Sequence, residues 1–161
     1  MRVRSLAAFL ASLFCTAAAG VQTQSPSVPP AAVLAHIKED RFQIVTSLRG
    51  LPLGVRGGLQ SLFGAMELDI AEPGARFQSG TTPGSNVPSR RLLTAGCSMD
   101  HCLVYYERAG GAPATVVAVF HWTPDATRFE WGGVAPRGLT TIEAVRQAIL
   151  TGAVKGPNKV W

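Results

Sequence analysis

The amino-acid sequence predicts an α+β domain with N-terminal helices, a four- to five-stranded antiparallel meander sheet and a C-terminal helix. Apolar residues recur at helical spacing between residues 31 and 63. Four strand-like runs then follow one another between residues 91 and 134, and an amphipathic segment comes after them. A composition that is 47% hydrophobic and 16% charged is typical of a globular protein and argues against disorder.

The beginning of the chain has the pattern of a cleavable export signal. Arg2 and Arg4 precede an apolar stretch over residues 6–14, and three alanines before Gly20 supply the small residues of a cleavage site. This stretch is too short to span a bilayer. Arginine far outnumbers lysine in an Ala- and Gly-rich chain, a usage typical of GC-rich bacterial genomes. We therefore expect a signal peptide at 1–19, a flexible leader at 20–30, one α+β domain at 31–161, and a periplasmic or secreted location.

Two helices are predicted before the sheet. The first follows Pro29 and Pro30, and its apolar positions at helical spacing are Val33, Ile37, Ile44 and Leu48. The second begins near Pro52 and carries Gly54, Gly57 and Gly58, each of which weakens a helix by up to ~1 kcal/mol relative to Ala. Packing, or the close approach of another backbone, must therefore hold the second helix. Residues 66–70 are a candidate short strand, and residues 72–90 a long loop.

The second half of the chain predicts a meander followed by a helix. The strand-like runs are residues 91–96, 102–108, 115–122 and 127–134, and the turns between them contain Gly or Pro. For the last helix, Thr140 and Glu143 form a candidate capping box, and Gly152 is placed to end it.

Two cysteines remain after the expected signal peptide, and they are close together. Cys97 and Cys102 enclose a short loop, and two thiols in an oxidising compartment most simply form a disulfide. Alternatives are a soft metal site using Cys97, Met99, His101 and Cys102, a redox pair, and a Cys/His nucleophile. Four ligands within six residues are unusual, since structural metal sites draw on two separated segments.

The third strand-like run is apolar on both faces, which indicates a central strand that is covered at least in part on both sides. About three helices are too few to cover both faces of such a sheet, because helices pack ~10 Å apart and strands ~4.8 Å apart. We therefore expect an open, aromatic-rich patch that acts as a binding surface, lined by Tyr105, Val117, Val119 and His121.

The run Leu103–Arg108 leads into Gly110 and Gly111, and Pro88 to Arg91 opens the sheet segment. In this pattern the sequence resembles small uncharacterised exported proteins of proteobacteria, over roughly residues 68–133. The resemblance implies export and a single domain, and it transfers neither an activity nor site residues.

The leading hypothesis for function is a non-enzymatic exported module that binds a protein or cell-envelope component, or self-associates, through the sheet patch. It needs no cofactor, metal or catalytic residue, and no lipase-, zincin- or nucleotide-type motif occurs. The net charge of +5 falls to +3 once Arg2 and Arg4 leave with the expected signal peptide, and the arginines are scattered, so the chain offers no concentrated basic surface for nucleic acid. We expect no transmembrane segment after processing. The alternative is a small hydrolase or metal-binding protein centred on the Cys97–Cys102 loop with His101 and Asp100.

Overall fold

The computed structural model describes residues 27–79, 86–110, 114–156 and 161 and confirms the α+β class. The elements are α1 Ala31–Glu39, β1 Gln43–Val45, α2 Leu53–Phe63, β2 Arg90–Cys97, β3 His101–Arg108, β4 Ala114–Trp122, β5 Thr127–Ala135 and α3 Ile142–Leu150. The expected signal peptide at 1–19, and the leader as far as residue 26, lie outside the described residues. Within the ranges given above, no helix has the length and apolar character needed to cross a membrane.

The five strands form one antiparallel sheet in the order β1-β2-β3-β4-β5, so each strand pairs with its neighbour in sequence. The four strands predicted from the sequence are present, and no strand begins or ends more than one residue from its predicted bound. The register places Cys97 opposite Cys102 across β2 and β3, and His101 opposite His121 across β3 and β4. Residues far apart in the chain therefore become neighbours at one end of the sheet.

The fifth strand is not where the sequence predicted it. Residues 43–45, expected to continue the first helix, form β1, and the side chain at Ile44 is 67% exposed. The run from Phe42 to Thr46 is rich in aromatic and β-branched residues, which favour strands over helices. Residues 66–70 form no strand, and Ala71 makes only one isolated bridge, to Arg91.

The cap of α3 also lies one residue from its predicted position. The N-cap is Thr141, whose hydroxyl accepts a hydrogen bond from the Ala144 N–H at 3.1 Å, and not Thr140. Glu143 is consequently too close to the cap to complete a capping box, and it accepts hydrogen bonds from Arg146 and Gln147 instead. Gly152 follows the helix with a φ of 70°, as expected of a residue that ends a helix.

Helices cover both faces of the sheet. On the face covered by α1 and α3, called here the α1/α3 face, the largest buried strand residues are Leu103, Tyr105, Val117, Val119 and Trp131. On the opposite face, the α2 face, they are Leu92, Val104, Tyr106, Val116 and Phe120. The α2 face is also covered by Leu51, Ile70 and Trp161, which lie outside the regular helices.

The glycines of α2 allow two close approaches. A Cβ on Gly54 would meet the Thr127 side chain, and a Cβ on Gly58 would lie 2.8 Å from Cε1 of Phe120. These neighbours are side chains, not the backbone that the sequence had suggested as one alternative. Gly57 has nothing within 4 Å of such a Cβ. The packing of α2 against the sheet thus requires glycine at positions 54 and 58 but not at position 57.

Candidate functional site

The three histidines of the chain meet in one polar cluster beside the α1/α3 face. The ring of His101 stacks on that of His36 with centroids 4.2 Å apart, and the His121 ring contacts it edge-on at 5.3 Å. His101, at the centre, is only 2% exposed. Because the sequence contains just these three imidazoles, their convergence from distant segments marks the cluster as the first candidate for a functional site.

The C-terminal end of α1 contributes a histidine and a carboxylate. His36 and Asp40 are four residues apart, which places both side chains on one side of the helix. Nδ1 of His36 lies 3.4 Å from Oδ2 of Asp40, the residue at which the helix ends. The carbonyl end of a helix carries a partial negative charge, so a cation bound here is stabilised by the helix dipole.

The turn between β2 and β3 contributes a second pair, Asp100 and His101, with Oδ1 of Asp100 2.8 Å from Nδ1 of His101. Ser98 closes this turn: its N–H donates to the His101 carbonyl at 2.7 Å, and its Oγ accepts from the His101 N–H at 3.0 Å. The same hydroxyl donates to Oδ2 of Asp40 at 2.9 Å. The turn and the end of α1 are therefore directly connected.

A β-bulge in β5 brings Glu130 to the other side of His101. The residues on either side of Glu130 pair with consecutive residues of β4, so Glu130 is an extra residue in the strand. Bulges of this kind re-aim a side chain, often next to a functional site. Oε2 of Glu130 lies 3.2 Å from Nε2 of His101, and Oε1 accepts two hydrogen bonds from Arg128. His101 thus has a carboxylate at each ring nitrogen.

The charges around the cluster favour a cation. Partial burial by itself would raise the pKa of Asp100, but the hydrogen bond with His101 and the nearby imidazoles outweigh it and hold that pKa below its ordinary value. Asp100 is therefore a carboxylate near neutral pH. Asp100 and Asp40 both offer carboxylate oxygens to a divalent ion, while Glu130 forms an ion pair with Arg128.

Four side chains of the cluster are close enough to hold one metal ion: His36, Asp40, Asp100 and His101. One ligand atom from each lies within 4.8 Å of all the others. A tetrahedral zinc site with bonds of ~2.0–2.1 Å separates its ligand atoms by ~3.3 Å, so the most distant atoms of the set must approach each other by up to ~1.5 Å. The side chains of His36 and Asp100 are 42% and 40% exposed and have room for this movement around the buried His101.

The predicted disulfide between Cys97 and Cys102 is confirmed. It removes the soft metal site considered from the sequence, because bridged sulfurs offer no thiolate and the Met99 side chain is 94% exposed. Cys102 packs in the α2-face core, whereas His101, one residue earlier on the strand, points to the opposite face. The disulfide and the histidine cluster therefore lie on opposite sides of the hairpin.

The sheet patch predicted from the alternation of apolar residues is not at the surface. Tyr105, Val117 and Val119 are each 0% exposed in the core beneath α1 and α3, and the Tyr105 hydroxyl donates to the Pro136 carbonyl at 2.8 Å. The expectation of an open patch is wrong, because irregular segments help three helices to cover both faces. His121, the fourth residue of the predicted patch, is partly exposed and belongs to the histidine cluster.

Sequence reasoning identified Asp100 and His101 but missed His36, Asp40 and Glu130. A histidine and an aspartate four residues apart near the end of a predicted helix were the available local signal for His36 and Asp40. Glu130 gave no such signal, because an unbroken strand would place its side chain differently and the bulge is visible only in the strand register.

Comparison with known proteins finds no relative of this chain. No protein-family model matches the chain, and neither a curated protein nor a solved structure matches it. The resemblance to exported proteins of proteobacteria stays a prediction. Function must therefore be argued from the geometry of the cluster.

Proposed function

We propose that this protein is an exported, non-enzymatic domain that binds a divalent transition-metal ion through His36, Asp40, Asp100 and His101. The observation that carries the proposal is the convergence of two histidines and two aspartates from separate segments within 4.8 Å of one another. Each segment supplies one His and one Asp, in keeping with structural metal sites that combine ligand pairs from two parts of a chain.

The position of Glu130 supports His101 as a ligand through Nδ1. A metal-bound histidine usually donates its other ring N–H to a carboxylate, which fixes the tautomer and the orientation of the ring. Glu130 lies 3.2 Å from Nε2, where it would accept that proton. In the structure, Nδ1 shares a hydrogen bond with Asp100 at 2.8 Å and lies 3.8 Å from an oxygen of Asp40. A bound ion would replace that hydrogen bond and take the Nδ1 lone pair and the oxygens of both aspartates as ligands.

The ligand set favours binding over hydrolysis. Catalytic zinc sites keep a position for water, whereas four protein ligands complete a tetrahedral ion. Of the sequence-based alternatives, a metal-binding protein is therefore favoured over a small hydrolase. Nitrogen and oxygen donors without sulfur suit Zn²⁺, Ni²⁺ and Cu²⁺ better than Cu⁺.

Export rests on the residue pattern at 1–19, and the Cys97–Cys102 disulfide fits the oxidising compartment that export would provide. A metal-binding domain in the periplasm or medium would buffer or carry the ion outside the reducing cytoplasm. The metal site itself uses no thiolate, so it tolerates that environment.

Titration calorimetry of the metal-free protein with Zn²⁺ tests the proposal. We expect one ion per chain and, for Asp40→Asn, a dissociation constant raised at least tenfold, because an amide oxygen is a weaker, uncharged ligand that can still accept the Ser98 hydrogen bond. Glu39→Gln is the matched control: it removes the neighbouring carboxylate, which the cluster does not use, and should leave the affinity unchanged. Absence of stoichiometric binding, or equal effects of the two substitutions, would refute the proposed function.

A further inference from the structure

We infer that metal occupancy controls the docking of α1 on the sheet, an inference that rests on the metal site proposed above. The ligands divide evenly between the helix and the sheet. His36 and Asp40 belong to the end of α1, and Asp100 and His101 to the turn and first residue of β3. An ion bound by all four is therefore a bridge that exists only while α1 is docked.

The apolar contacts of α1 are few. Of its nine residues only Val33 and Ile37 are buried, with Leu34 partly buried against the same core, whereas α3, of the same length, buries four residues. Ordering a helix costs backbone entropy at every residue, and two buried side chains offset only part of that cost. Docking of α1 consequently depends on its polar contacts more than docking of α3 does.

Those polar contacts concentrate at the C-terminal end of the helix. Arg146 of α3 donates to the carbonyls of Ile37 and Lys38 at 2.8 Å and 3.0 Å, and Ser98 donates to Asp40. At the N-terminal end, Pro30 provides no side-chain cap. The polar contacts that hold α1 on the sheet therefore lie beside the metal site, and a bound ion would add to them.

Thermodynamic linkage sets the size of the effect. A ligand that binds the docked state alone multiplies the ratio of docked to undocked chains by 1 + [L]/Kd, which is about 100-fold at a free-ion concentration of 100 times Kd. Coupling also acts in the other direction: a change that weakens docking raises the apparent Kd of the ion in proportion to the fall in the docked fraction of metal-free chains. Undocking would uncover part of the α1/α3-face core, to which Val33 and Ile37 belong.

Hydrogen exchange of the full chain, stripped of metal and then saturated with Zn²⁺, tests this inference. We expect Zn²⁺ to slow exchange of the α1 amides at least tenfold while leaving the α2 amides unchanged, since α2 carries no ligand. At one fixed free Zn²⁺ concentration, Asp40→Asn should reduce the slowing about tenfold and Glu39→Gln should preserve it. Ile37→Ala truncates one of the two buried side chains of α1, so it should increase exchange of the metal-free helix and raise the apparent Kd for Zn²⁺ as the docked fraction falls.

The outcomes separate the inference from the proposed function. If calorimetry shows stoichiometric Zn²⁺ binding while the exchange of α1 is unchanged, the metal site stands and control of docking is overturned. If Zn²⁺ does not bind, the proposed function itself fails. An equal slowing of α1 and α2 would mean general stabilisation of the fold, and would also overturn the specific role of α1.

Discussion

The two faces of the sheet are covered in different ways. Two helices, α1 and α3, cover most of one face, with a smaller contribution from non-helical residues such as Val154. A single helix, α2, covers the other face and relies more on residues outside the helices, among them Leu51, Ile70 and Trp161. Trp161 packs closely enough on the sheet that a Cβ on Gly132 would lie 2.8 Å from its ring. Counting helices therefore underestimates how much of a sheet a chain can bury, because single apolar residues in irregular segments complete the layer.

The largest expected effect comes from breaking the α1/α3 face. Tyr105→Ala combined with Val119→Ser should destabilise the fold by ~5 kcal/mol or more, because it leaves a cavity and introduces a hydroxyl into an apolar core. A loss of that size equals the whole free energy of unfolding of a marginally stable domain, so the double variant would be largely unfolded. Denaturant unfolding followed by circular dichroism measures it, with the exposed Ile44→Ala as control. A double variant that stays as stable as the control would mean that this face is open after all.

A smaller effect tests how tightly α2 lies on the other face. Gly58→Ala should lower stability by ~1–3 kcal/mol, because its Cβ would meet the fully buried Phe120 ring. Gly57→Ala, on the same helix but in open space, should instead raise stability by up to ~1 kcal/mol through helix propensity. Urea midpoints of the two variants give the comparison. Shifts of the same sign would contradict the close packing of α2.

The smallest effect concerns the exposed side of α3. The hydrogen bond from Gln147, and then the charge of Arg146, hold the pKa of Glu143 below its ordinary value against a small opposing effect of burial. A carboxyl whose pKa is lower in the folded state stabilises the fold above its unfolded pKa, and this stability is lost as pH falls through the folded pKa. Glu143→Gln should cost ~0.2–0.5 kcal/mol at neutral pH and nothing in acid, as measured by thermal unfolding at both pH values. An equal cost in acid would assign the effect to side-chain shape and not to charge.

The sequence predicted the meander because each of its four strands is long enough to show its pattern and is bounded by turn residues. It failed at β1, whose three residues are too few to show alternation and whose Ile44 also fits a helical spacing. The same limit explains the misplaced cap, since Thr140 and Thr141 are adjacent and both are capping residues. Local capping preference alone does not distinguish them.

The candidate site was predictable in part. Asp100 and His101 stood out because they lie between two cysteines, but their partners are about 60 residues away at the end of α1 and 30 away in β5. That proximity depends on how α1 docks and on one extra residue in β5, neither of which a local pattern records. For the same reason the Tyr105 patch was misread: strand alternation assigns a face, but it does not show what covers that face.

The edges of the sheet have a consequence for behaviour at high concentration. One edge strand, β1, is only three residues long. On the other edge, the N–H and carbonyl of Val134 in β5 bond to Lys155 at 2.8 Å each. Unpaired strand edges are templates on which a second chain can add, and short or occupied edges restrict this addition. The short length of β1 and the pairing of Val134 with Lys155 thus leave fewer free backbone groups for a strand of a second chain to bind.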